Sequence, residues 1–139
     1  MSVFVDISAA LESHLNSMAG KPPIAWENYS YDPSMGTLYI RPTLLAGDVV
    51  QATLGTTGTD QNLGVYQIDI FSEAGQGKGE ALSMADTIAN HFKRGTDLTY
   101  NSRTVRIRNV SRQVGFNNPD GWYQIIVEIS YIAFTEARS

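Results

Sequence analysis

The side chains that could do chemistry are few and scattered. His14 and His91 are the only imidazoles in 139 residues, and there is no cysteine. Neither histidine has a second ligand three or four residues away on the same helix face. A metal site is therefore not indicated, and no cofactor is expected. His91, beside Phe92 near the end of a predicted helix, has the simpler role of stabilising that C-terminus. A Ser-His-Asp triad converges in space and leaves no fixed spacing, but no Gly-x-Ser-x-Gly elbow is present. The turn Gly75-Gln76-Gly77-Lys78-Gly79 has the composition of a phosphate cradle at a helix N-terminus. It lacks the Gly-Lys-Ser/Thr ending and the dinucleotide spacing, so it reads as a turn that brings the chain back over a sheet.

The basic residues concentrate at Arg103, Arg106, Arg108 and Arg112. On a strand over 105–110, Arg106 and Arg108 share the outward face. The plain reading is a solvated face balanced by acidic neighbours such as Glu128. The sharper reading is a docking surface for an acidic partner or for passing DNA. Two polar stretches, Gly55–Asn62 and Gln113–Asp120, are loop-like, and loops carry function more often than cores. Together these features give Thr57, Asp60, Asn62, Arg106, Arg108, Asn117 and Asp120 as candidate partner contacts. A small hydrolase using Asp60, Asp120 or His91 is the enzymatic alternative, and a DNA-binding module using Arg103, Arg106 and Arg108 is another. No acid–base pair assembles in the sequence, so the expectation is a binding protein rather than an enzyme.

The elements that would position these residues turn on 63–95. Tyr66, Ile68 and Ile70 alternate with Val65, Gln67 and Asp69, as in a strand. After the glycine turn, Ala81, Met84, Ala85, Ile88, Ala89 and Phe92 recur at helical spacing, and Gly95 stands at a helix stop behind Lys93 and Arg94. Ser2–Met18 reads as a first helix with the stripe Val3, Ile7, Ala10, Leu11, Leu15 and Met18. Ser2 is placed to cap it, and Asp6, off the stripe, suits the helix dipole. Gly20 and Pro22-Pro23 end it.

Six further strands are expected. Ile24–Glu27 reads as a short edge strand and Thr37–Leu45 as a strand that is at an edge or broken at Pro42. Val49–Thr57 reads as a separate strand, with Gly55–Asn62 the tip of a long hairpin. Leu98–Tyr100 and Val105–Val110 form a hairpin around Asn101-Ser102, with a bulge near Asn109. Trp122–Phe134 is the last strand, its apolar parity Ile125, Val127, Ile129, Tyr131 and Ala133. The fold class is α+β in the order α-β-β-β-β-α-β-β-β, a mostly antiparallel or mixed sheet with two helices on one face. Residues 1–139 read as one domain.

Composition agrees. An apolar share of 42% supplies one core, and the net charge of −4 gives no global attraction to nucleic acid. No run is long enough to span a membrane, the N-terminus lacks a secretory pattern, and the absence of cysteine fits a reducing compartment.

The ordered pieces "ALESHL", "PPIAWEN", "TLYIRPTLL", "ATLG", "GVYQIDIF", "GEALSMADTIANHF", "LTYNSRTVRI" and "GWYQIIVEISY" resemble the small tail-terminator-like proteins of tailed phages and prophages. The likeness runs through nearly the whole chain and carries no catalytic motif. It implies a virion structural protein of the tail, assembled in the host cytoplasm, that forms a ring, usually hexameric, on the last ring of the tail tube. The implied partners are copies of itself, the tail-tube protein and a head-completion protein, with DNA passing through the lumen without specific binding. Head–tail connectors and other tail-completion proteins share the size and pattern.

Overall fold

The computed structural model describes residues 3–33, 37–51, 59–75, 77–101 and 103–136. Two helices, α1 (Val3–Asn16) and α2 (Gly79–His91), cover one side of a sheet. Its strands are β1 (Tyr39–Gln51), β2 (Thr59–Glu73), β3 (Asp97–Tyr100), β4 (Arg103–Arg112), β5 (Phe116–Asn117) and β6 (Trp122–Glu136). They lie in the order β1-β2-β6-β4-β3, with β5 paired to β6, and all these pairings are antiparallel. The class is α+β, as expected. The order is α-β-β-α-β-β-β-β, which corrects the expected arrangement in three places.

First, Ile24–Glu27 is not a strand but an isolated parallel bridge, Ile24 to Ile40. Ala25 N donates to Ile40 O at 2.8 Å and Ile40 N to Pro23 O at 3.1 Å. The ladder cannot continue, because the next outward-facing position on β1 is Pro42, which has no N–H. Second, Val49–Thr57 is not a separate strand: β1 runs on to Gln51 through a register shift between Ala46 and Val49. Thr59–Asn62, expected in a loop, belongs to β2, while 52–58 lie outside the described residues. Third, the loop expected at Gln113–Asp120 contains the two-residue strand β5.

The helix-side core follows the apolar parities. Ile68 and Ile70 of β2, Ile125, Val127, Ile129 and Tyr131 of β6, and Val105 and Ile107 of β4 are buried against Ile7, Leu11 and Leu15 of α1 and Ala81, Ala85 and Ile88 of α2. Each large aliphatic side chain so covered contributes about 1.5–3 kcal/mol. The bulge expected near Asn109 is present between Ile107 and Asn109. Gly64 interrupts β2 for a packing reason. A Cβ there would lie 2.4 Å from the Tyr131 hydroxyl oxygen and 2.8 Å from Leu45 O, so only glycine admits the Tyr131 ring.

Two polar devices fasten the helices. Asp6, expected off the apolar stripe in the first turns of a helix, is 1% exposed; Arg103 Nε donates to it at 2.7 Å and Asn101 Nδ2 at 3.1 Å. It ties α1 to the β3–β4 hairpin. At the other end, His14 and His91 stack with ring centroids 3.9 Å apart. His14 Nε2 donates to His91 O at 2.7 Å and His91 Nε2 to His14 O at 2.6 Å, joining the two helix ends. Because each carbonyl can only accept, both imidazoles carry a proton on Nε2.

Candidate interaction surfaces

The strand parity that leaves the helix side carries Tyr39 and Arg41 of β1, Val65, Gln67, Asp69 and Phe71 of β2, and Gln124, Ile126, Glu128 and Ser130 of β6. Among the described residues no helix covers this open face. Its two ends differ in chemistry.

At the end where β6 begins, Tyr39 stacks on Phe71 at 4.7 Å, Trp122 meets Tyr39 edge-on at 5.2 Å, and Tyr31 closes the group at 5.0 Å from Tyr39. The Arg41 guanidinium lies over the Phe71 ring at 4.9 Å and 3.7 Å from the buried Asp69 carboxylate, which also accepts from Gln67 Nε2 at 3.1 Å. Burial raises the Tyr39 pKa above its ordinary value, with the Arg41 charge opposing the shift. The neighbouring corner is set by Asn118, whose Oδ1 accepts from Asp120 N at 2.9 Å and Trp122 N at 3.1 Å, an Asx turn. Asn117 and Asp120 are exposed here, beside a cleft of about 460 Å³ lined by Pro33, Phe116, Pro119 and Trp122.

The other end is basic. An open groove of about 470 Å³ is lined by Arg94, Gly95, Arg106, Arg108, Asn109 and Ser130. Most of the arginines singled out in the sequence are already balanced. Arg103 holds Asp6, Arg106 forks onto Asp97 at 2.8 and 3.2 Å, and Arg112 pairs with Asp86. The Asp97 carboxyl is held below its usual range and Arg106 is raised by this fork. The solvated-face reading thus holds, but with different acids from the one expected: Glu128 accepts from Gln113 instead. Arg94 and Arg108 have no carboxylate partner among the described residues.

A third surface lies along α1, where Ala9, Glu12, Ser13, Asn16, Trp26 and Tyr29 line a groove of about 460 Å³. Glu12 titrates above the usual carboxylate range, from burial first and then from the charge of Glu27. Glu27 Oε1 accepts the outward N–H of Leu44. The sequence reading passed over this groove. Its signal, Glu12 on the flank of the apolar stripe and an aromatic pair after the double proline, means nothing until α1 lies against that segment.

Of the other candidate contacts, Asn62 is 2% exposed and faces inward, Nδ2 donating to Ala133 O at 3.5 Å. It is a strand residue of the helix side, not a loop tip. Asp60 has its backbone in β2, and Thr57 lies outside the described residues. The hydrolase alternative does not assemble from Asp120 and His91: Asp120 sits at the Trp122 corner while His91 is spent on His14. Among the described residues no group of three or more His, Asp or Glu could hold a metal ion, and no helix is long and apolar enough to cross a membrane. The glycine turn has no side-chain cap on α2, and Gln76 within it lies outside the described residues.

A family model described as "Phage tail terminator protein" matches residues 6–131. No curated protein matches the chain. One solved structure, which carries no functional description, is 20% identical over 96% of this chain and 96% of its own, with a TM-score of 0.75. That likeness is one of fold alone.

Proposed function

We propose, from the premise that this chain belongs to the phage tail terminator protein family, that it caps the tail tube, ends tube polymerisation and offers the surface on which the head is joined. The single observation that carries this reading is the family match over residues 6–131, which takes in both helices and nearly all of the sheet. Family membership supports a role in completing the phage tail and points to a structural component rather than an enzyme.

The mechanism is one of contact. A cap that forms a ring needs two different patches on each copy, because only a heterologous contact propagates around a closed rotation. The open face, with its aromatic end and its basic groove, and the groove along α1 supply three such patches. Arg106, Arg108, Asn117 and Asp120 lie on the first two. The edge of β1 is a poor place for a neighbouring strand: Ile40 N is held by Pro23, Pro42 has no N–H, and Leu44 N is held by Glu27. A neighbour, a tube subunit or a head-completion protein would therefore dock through side chains there rather than by extending the sheet. The negative total charge would let DNA pass the lumen without specific binding.

The test is genetic. Particles assembled without this chain should carry tails of uncontrolled length that fail to join heads, and supplying the chain should restore both. Tails of normal length, joined normally, would contradict the reading.

A further inference from the structure

Among the described residues, Arg108 and Glu12 have no ion-pair partner, and they lie on two different sides of the sheet. On the open face, Arg108 sits at the β4 bulge, with Arg94 across the groove from it. The bulge adds a residue to β4 between Ile107 and Asn109, so Arg108 falls outside the ladder of residues paired across to β6. Arg103, Arg106 and Arg112 meet carboxylates of their own chain; among the described residues Arg108, like Arg94, does not.

On the helix side, burial and then the charge of Glu27 oppose the ionisation of Glu12, and no cation of the chain pairs with either carboxylate among the described residues. Lys21, a nearby cation in sequence, is held by Asn16. Trp26 and Tyr29 stand in the same groove, and Tyr29 is 78% exposed. A half-buried carboxylate, Glu12, beside the part-buried Trp26 and the open Tyr29 ring makes the surroundings a guanidinium prefers. It forks onto the acids and stacks its plane on the rings, whereas an ammonium does only the first.

We propose that Arg108 of one copy of this chain enters the Glu12–Trp26–Tyr29 groove of a second copy, so that the copies join head to tail. This rests on the ring reading above and assigns its contact. A second copy is favoured over DNA because the supply and the demand are matched on one chain. Two unbalanced arginines in a molecule of net charge −4 make a poor footprint for phosphates. The two patches differ and lie on opposite sides of the sheet, so the contact is heterologous and can close into a ring.

The absence of native cysteine makes a clean cross-linking test. Ser13→Cys places a thiol in the acidic groove and Asn109→Cys places one beside Arg108; both positions are exposed. The two variants, mixed at high concentration or on isolated tails and oxidised, should give a heterodimer that neither gives alone. Asn109→Cys mixed with Ser83→Cys, exposed on α2, is the control. Adding Glu12→Arg or Arg108→Glu should lower the heterodimer yield about tenfold, and both changes together should restore it. Circular dichroism and thermal melts check folding, and Glu12→Gln with Arg108→Gln serve if a reversal does not fold. A yield no better than the control, a dominant Ser13→Cys homodimer, or reversals without effect would overturn the proposal. So would a variant Arg108→Glu that cross-links normally but loses DNA retention in a gel shift. If any of these occurs while tail length is still controlled, the assigned contact fails and the terminator reading stands.

Discussion

The two faces of the sheet satisfy their polar groups in opposite ways. On the helix side the ionised group Asp6 is enclosed and met by two donors, and two histidines close on one another's carbonyls. On the open side Asp69 is enclosed beneath Arg41, but the pair of Arg106 with Asp97 is exposed, and among the described residues Arg94 and Arg108 have no carboxylate partner. Enclosed pairs hold the monomer together, because breaking one strands a charge in low dielectric. Exposed pairs contribute little to stability, since water replaces them at small cost. The same charge chemistry is thus structural on one face and available for contact on the other.

Mutations can break that comparison, beginning with the largest effect. Phe92→Ala removes a fully buried ring that meets His14, His91 and Tyr66. It should cost about 3–5 kcal/mol in urea unfolding. A cost below about 1 kcal/mol would mean that the helix layer is not packed as described. Asp6→Ala comes next. Losing one partner of a buried pair costs about 3–5 kcal/mol, and the partial exposure of Arg103 lowers the expectation to about 2–3 kcal/mol.

The third prediction concerns pH. Burial lowers the His14 pKa from its ordinary 6.5, assisted by the charge of His91 and opposed by the hydrogen bond to His91 O. The unfolded chain therefore takes up this proton first as pH falls. Stability is at its full value above about 6.5 and declines as pH drops through the folded pKa. Melting temperature measured from pH 7.5 to 5 should fall, and His14→Asn should lessen the slope. An unchanged slope would separate His14 from the effect. Arg106→Ala stands last, on the open face. It should leave the unfolding midpoint within replicate scatter while altering association with a partner; a clear loss of stability would erase the distinction between the faces.

Periodicity made the helix side legible. Ile7, Leu11 and Leu15 at helical spacing, and Ile125, Val127 and Ile129 in alternation, needed only their own neighbours to be read. Asp6 was read only as a helix-start acid suited to the dipole, because its partner Arg103 lies 97 residues away. The His14–His91 clasp was missed for the same reason, spanning 77 residues. The edge strand at Ile24–Glu27 failed on a local fact that was in view, Pro42, whose missing N–H was applied to β1 but not to what could pair beside it. Asn62 illustrates a different limit: polar composition suggested a loop, and the register with β6 turned it inward. The contact patches were the least legible, since Arg108 is distinguished from Arg106 only by its place at the bulge and by having no carboxylate partner among the described residues.

The most direct measurement adds the purified chain to tail-tube protein as it polymerises and follows tube length by electron microscopy. Capping predicts tubes that shorten as the chain is increased, with the chain found at one end only. Tubes of unchanged length, or chain bound along their sides, would contradict it.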